Sequence, residues 1–275
     1  MIARLLTIAA QEFRLARRNL WVVLATLALA AFALALGFLG AGQGAALKAD
    51  VLSLTAASLS TLSVYLIPLI ALLMSYDALS GEVERGTLAL TLATPARRWE
   101  LFAAKFLAQA VAVGVAIALG FAIAGAAIGA TYGVSAAGLV AWGRLVGSGL
   151  VLGAVFVAVG LSLSAAAGRT ATAAAYAIGC WLILVVLYDL ALLGGVIAAG
   201  DGVFTTDIFP WLVLANPADA FRLYNLAGFE AAPVSGIDGL ARSLPFSAQL
   251  PLAVLGLWLA VPVAVGMRLT ARIVP

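Results

Sequence analysis

Two Tyr-Asp pairs, Tyr76-Asp77 and Tyr188-Asp189, are the residues best suited to chemistry in an otherwise apolar chain. Two carboxylates that share a site can exchange a proton and activate water. Their placement works against it. Asp77 falls at one end of an apolar stretch and Asp189 towards the opposite end of another, roughly 20 Å apart at about 1.5 Å per residue, too far to share a proton. The Gly-x-Gly-Asp pattern of intramembrane aspartyl proteases is absent, since Asp201 lies in Ala-Gly-Asp and Asp238 in Gly-Ile-Asp. The sequence holds no His, one Cys (Cys180) and three Met, so it lacks the side chains that assemble a zinc, copper or iron site or a His-Glu-x-x-His metalloprotease helix. A lone Cys forms no internal disulfide. No Gly-x-x-x-x-Gly-Lys-Ser/Thr loop is present to cradle ATP. Chemistry, if the protein takes part in any, belongs to partner chains.

The elements around these residues explain why. Of 275 residues, 65% are hydrophobic and 10% charged, far from the roughly 25% charged residues of a soluble domain. The chain therefore reads as an all-α polytopic membrane protein, a single transmembrane domain over residues 1–275. A span needs about 20 apolar residues, and six stretches qualify: Leu20 to Gly40, Val51 to Tyr76, Phe106 to Ala130, Leu145 to Ser164, Ala171 to Ala199 and Leu250 to Met267. Small residues four apart, Gly125/Gly129 and Gly143/Gly147, suit close helix packing, although the Gly content makes such pairs common by chance.

Basic residues are retained on the cytoplasmic side. Arg4, Arg14, Arg17, Arg18, Arg85, Arg97, Arg98, Lys105, Arg169, Arg268 and Arg272 fall on one side, against Lys48, Arg144, Arg222 and Arg242 on the other. Both termini are thus predicted cytoplasmic. Residues 1–19 alternate apolar positions (Ile2, Leu5, Leu6, Ala9, Phe13, Ala16) with a basic face, which predicts an amphipathic helix lying in the interface against lipid headgroups.

Two connections are long enough to carry function, residues 77–105 inside and 200–249 outside. In the inner loop Thr94 is an expected N-cap and Pro95 a first helical residue, predicting a helix from Ala96 to Lys105 that leads into the third span and could transmit a push. In the outer loop Asp207 to Leu226 is too apolar to hang free. Pro210 and Asn216-Pro217 divide it into short re-entrant or interfacial pieces between the fifth and sixth spans. Trp211, Asn216, Pro217, Asp219, Phe221, Arg222 and Tyr224 are expected to contact a partner there. Trp211, Phe221, Tyr224 and Phe229 read equally as headgroup-level anchors, and Asp219 and Arg222, three apart, could pair. At membrane depth a charge must be paired or wet, so Asp189 is expected to pair with Arg144 from the fourth span, the alternative being a separate water-facing position for each. Pro68 should kink or loosen the second span ahead of Asp77.

The pattern Asp77, Gly81-Glu82, Glu84, Gly86-Thr87-Leu88, then Thr94-Pro95, Arg98 and Lys105-Phe106 resembles the signature of ABC-2 type permeases, the six-span subunits of ATP-driven transporters. Ser63 to Tyr76, Tyr188-Asp189-Leu190 and Phe209 to Leu226 are similar to the permeases of systems that mature nitrous oxide reductase, a copper enzyme of denitrification. The resemblance fades through residues 230–248. It implies an ABC-2, type V-like fold and a homodimer. It also implies a cytoplasmic ABC ATPase that carries the ATP and Mg, a periplasmic β-helical protein and, through the complex, a copper chaperone lipoprotein and the reductase itself. No cofactor is expected in this chain and no nucleic acid among its partners, which otherwise include membrane lipid. Asp77, Gly81, Glu82, Glu84, Arg85, Gly86, Thr87, Pro95, Arg97, Arg98 and Lys105 then become the residues that couple to the ATPase. A competing reading is an ABC-2 exporter of a lipid, drug or polysaccharide, which shares the inner loop and the six spans.

Overall fold

The computed structural model describes residues 20–47, 50–92, 97–200, 202–227 and 247–273. The interfacial helix expected over 1–19, Thr94 and Pro95, and the segment holding Phe229 lie outside the described residues. Helices α1 (Leu20–Leu47), α2 (Val51–Ser75), α5 (Arg98–Tyr132), α6 (Ala136–Ala167) and α11 (Leu250–Arg272) form five of the six spans. The fifth in order is composite: α7 (Thr170–Trp181), a π-helical segment (Leu182–Leu187) and α8 (Tyr188–Ala199). All six are long and apolar enough to cross a membrane, and the chain is a multi-pass membrane protein. No strand occurs among the described residues.

Several helices run past the apolar stretches that define the spans. A helix satisfies its own backbone and stops only where a cap or a left-handed residue stops it. Asp50 starts α2 by accepting the Ser53 N–H at 3.0 Å, and Ser135 starts α6 by accepting the Gly138 N–H at 2.8 Å. Gly168, at φ 63°, closes α6 in a conformation that costs a residue with Cβ about 1 kcal/mol or more. The third span begins at Arg98 with extended Arg97 as its N-cap, which corrects the helix start expected at Ala96; the rest of that expected helix, to Lys105, and the span behind it are one rigid rod. Helix α2 continues through Pro68, which cannot bond the carbonyl one turn back.

Helix α6 is the hub, packed against α2, α5 and α11, while α1 lies along α5. Backbones approach through glycine notches. A Cβ on Gly153 would meet Ile117 Cδ1 at 2.9 Å, and one on Gly125 would meet Trp142 Nε1 at 2.7 Å, the indole lying edge-on to Phe121 and donating to its carbonyl at 3.2 Å. Of the two glycine pairs read from the sequence, Gly125/Gly129 faces close neighbours whereas Gly143/Gly147 faces open space.

Another tight notch joins α5 to α11. A methyl on Gly266 would lie 2.3 Å from Phe102 Cε2 and Cζ and 2.6 Å from Ser162 Oγ. Phe102 is fully buried and has nowhere to swing. Gly266→Ala is expected to cost about 1 to 3 kcal/mol by overpacking, read as a lower midpoint of thermal unfolding in detergent, with partial recovery when Phe102→Leu is added. An unchanged midpoint would remove this contact from the fold.

Between the fifth and sixth spans lie a second π-helical segment (Phe204–Ile208), α9 (Phe209–Ala215) and α10 (Pro217–Leu226). These are the short pieces expected between the prolines. They pack back onto α2, α6 and α11 at one end of the bundle, here called the far end. Helices α3 (Ser80–Glu84) and α4 (Thr87–Leu92) form a hairpin at the opposite, basic end.

Candidate functional site

The hairpin between α2 and α5 is built from polar side chains that reach three different spans. Glu82 Oε1 accepts from Lys105 Nζ at 2.7 Å, tying α3 to the third span, and the Lys105 side chain is only 3% exposed. Glu82 Oε2 is buried with no hydrogen-bond partner among the described residues. The hairpin turns at Gly86, whose φ of 70° explains why glycine stands there.

Neither α3 nor α7 can cap itself. The residue heading α3 is Leu79 and the residue heading α7 is Arg169, neither with a side-chain acceptor. Each helix receives its cap from the other's neighbourhood. Ser164 Oγ, near the end of α6, accepts the N–H groups of Leu79 at 3.0 Å and Ser80 at 2.9 Å, and lies 3.2 Å from Ser80 Oγ. Glu84 Oε2, at the end of α3, accepts the Thr170 N–H at 2.9 Å, so a carboxylate sits at the positive end of α7. Hydrogen bonds from Thr170, then the nearby charges of Arg169 and Arg85, hold the Glu84 carboxyl below the usual carboxylate range.

The third and sixth spans are joined at the same end. Arg98 donates to the Ile273 carbonyl and, at 3.4 Å, to the Ala271 carbonyl, satisfying orphan acceptors at the end of α11. Arg97 N–H donates to Glu100 Oε2 at 2.9 Å, which caps α5. Among the residues read as coupling positions, Gly81, Glu82 and Lys105 face inward, Asp77 and Arg98 are half-buried, and Glu84, Arg85, Gly86, Thr87 and Arg97 are exposed. Pro95 lies outside the described residues. The exposed members leave a mixed polar surface on a hairpin that is braced from below.

The far end corrects the pairing expected for Asp189. Its partner is Arg222, with Nη1 at 3.4 Å from Oδ2, and the Tyr65 hydroxyl lies at the same distance. Arg222 also donates to Asp219. Arg144 instead donates to the Tyr224 carbonyl at 3.4 Å and sits 5.1 Å above the Tyr224 ring. The reason is that α10 folds inward between the spans, delivering a nearer guanidinium than the one on α6.

The partner surface expected over α9 and α10 needs a second correction. Asn216, Pro217, Asp219, Phe221 and Arg222 are buried within the chain. Asn216 Oδ1 accepts the Ala218 N–H at 2.8 Å to cap α10, and its Nδ2 donates to the Leu184 carbonyl at 2.6 Å. Leu184 belongs to the π-helical segment, whose wider turns disturb the regular backbone ladder. Tyr188 Oη donates to Leu212 at 2.6 Å and Trp258 Nε1 to Ala215 at 2.8 Å. These residues seat the outer pieces; of the seven, Trp211 is exposed and Tyr224 half-buried. Sequence reasoning missed Tyr65, Ser80, Ser164 and Thr170. The available signal was the absence of Ser, Thr, Asp or Asn at the heads of α3 and α7, which means that their caps come from elsewhere.

A protein-family model described as "ABC-2 family transporter protein" matches residues 6–272. A protein of Pseudomonas aeruginosa, "Probable ABC transporter permease protein NosY", is 40% identical over 268 residues, covering 97% of each chain. A protein of the same description from Stutzerimonas stutzeri is 36% identical over 264 residues, covering 95% of this chain and 94% of its own.

Proposed function

The chain belongs to the ABC-2 transporter family, and on that premise we propose that this permease serves a transporter that matures the copper site of nitrous oxide reductase. The observation that carries the proposal is the end-to-end similarity to two permeases described as NosY. In this reading two copies form a homodimer in the bacterial inner membrane with both termini cytoplasmic. A NosF-like ATPase binds ATP and Mg beneath the hairpin, and a NosD-like β-helical protein seats on the periplasmic face. The braced hairpin supports the mechanical part. ATP-driven closure of the ATPases pushes on the exposed polar surface around Arg85 and Arg97, and the rod from Arg98 to Tyr132 carries the motion across the membrane. A chain without His and with a single Cys offers little to copper, so the metal travels on periplasmic partners, including a chaperone lipoprotein, while this subunit supplies conformational work.

The test is a host strain deleted for this chain and supplied with it on a plasmid, from which the reductase is purified and its copper content and nitrous oxide turnover measured. Near-complete loss of both on deletion, with recovery on complementation, is the expected result. A copper-replete, active reductase in the deleted strain would reject the maturation role and leave an exporter in its place.

A further inference from the structure

The hairpin is covalently continuous with the second and third spans, yet the side-chain bonds that cap its head and extend from its tail reach the fourth and fifth. Ser164, fully buried at the end of the fourth span, takes both free N–H groups at the head of α3. Its single hydroxyl proton is then left for Ser80 Oγ at 3.2 Å, and Ser80 Oγ lies 3.1 Å from the Tyr76 carbonyl. Glu84, at the tail of α3, caps the first helix of the fifth span through Thr170. Between these two contacts the chain turns only through Gly168 and Arg169, the first left-handed at φ 63° and the second extended. Five residues of α3 are therefore gripped at both ends by the elbow that joins the fourth and fifth spans. The fifth span is also the least buried of the long helices after this elbow, its apolar face formed by residues such as Ile178, Ile183, Leu190 and Ile197. Packing against it is sparse, and its side-chain bonds to the rest of the chain, from Trp181 to Asp189, lie at or beyond the end of α7.

We propose that Ser164 and Glu84 are positioning residues that lock the hairpin to the elbow between the fourth and fifth spans, so that a push on the hairpin displaces the fifth span directly. This rests on the coupling role given to the hairpin above. It adds a second route to the one along α5.

The test uses the complex of this chain with its ATPase in lipid nanodiscs. Cys180→Ala removes the native thiol and Ala199→Cys places one in the last turn of the fifth span, and its rate of labelling by a membrane-impermeant maleimide is measured with and without ATP. In this parent, ATP is expected to change the rate. Glu84→Ala is expected to abolish the change per ATPase retained in the complex, Ser164→Ala likewise, while Glu84→Gln keeps an acceptor for Thr170 and retains it. The decisive variant is Glu84→Ala with Arg169→Ser, in which α7 carries its own N-cap but no tie to the hairpin. Continued loss of the response supports the lock. Recovery of the response overturns it, because Glu84 then served only to cap a helix. A parent that hydrolyses ATP with no change in labelling overturns the coupling reading itself, and the lock with it.

Discussion

Arg222→Ala is expected to be the most damaging single change in the chain. The guanidinium is buried and bonded to Asp219 and Asp189, carried by different helices, so its removal strands carboxylates at membrane depth. Breaking such a buried pair costs about 3 to 5 kcal/mol. The variant should be recovered poorly from detergent extraction and should unfold at a markedly lower temperature. Adding Asp189→Asn and Asp219→Asn should restore part of the loss, because the stranded charge is the larger part of the penalty. Arg222→Lys should fall between, since an ammonium cannot reproduce a planar fork reaching two carboxylates. Arg144→Ala provides the contrast. Its contacts are one long bond to a carbonyl and a ring face, the latter a contact of about 0.5 to 2 kcal/mol. Equal damage from the two alanine changes would mean that Arg222 does not anchor this end.

The second large effect is expected at Lys105. With its side chain 3% exposed and its ammonium 2.7 Å from Glu82, Lys105→Ala leaves a partly buried carboxylate and Glu82→Ala leaves a buried ammonium. Each single change should cost about 3 kcal/mol, the lower end of the range for a broken buried pair because Glu82 retains some solvent. The double variant should cost clearly less than the sum, and Lys105→Met paired with Glu82→Leu could approach the parent, since buried ion pairs are often replaceable by apolar residues of similar volume. Thermal unfolding of the four proteins of the cycle gives the coupling directly. Strict additivity would show that the two side chains do not support one another.

The spans were legible because bilayer thickness sets a length that composition alone can meet, and six stretches met it. Their true ends were less so, since α5 starts at Arg98 and α6 at Ala136, well ahead of the expected Phe106 and Leu145, and the two run on to Gly133 and Gly168. The hairpin was visible as a charged interruption with glycines, and Gly86 proved to stand where a left-handed turn is required. What remained hidden was contact between elements distant in sequence. Nothing in the periodicity of α10 announces that Arg222 rather than Arg144 reaches Asp189, because that choice depends on how α9 and α10 fold back. Ser164 and Ser80 are separated by two of the six spans, and each alone reads as a small polar residue in a helix. The aromatic and polar residues of 207–226 suggested a surface because they are unusual in a loop; most are unusual because they are buried.

The cap that Ser164 gives to α3 also fixes an order in time. The hairpin is synthesised long before its cap exists, for 84 residues separate Ser80 from Ser164. At about 5 to 20 residues per second, the ribosome needs between about 4 and 17 seconds to cover that distance. During that interval the head of α3 has water or lipid headgroups for its free N–H groups, and α7 does not yet exist to receive Glu84. The second and third spans can insert as a pair, but the hairpin takes its final shape only after the fourth span is in place and the chain has turned at Gly168. A partner that docks on the hairpin, as proposed above, therefore meets its finished surface only on a chain that already has four spans.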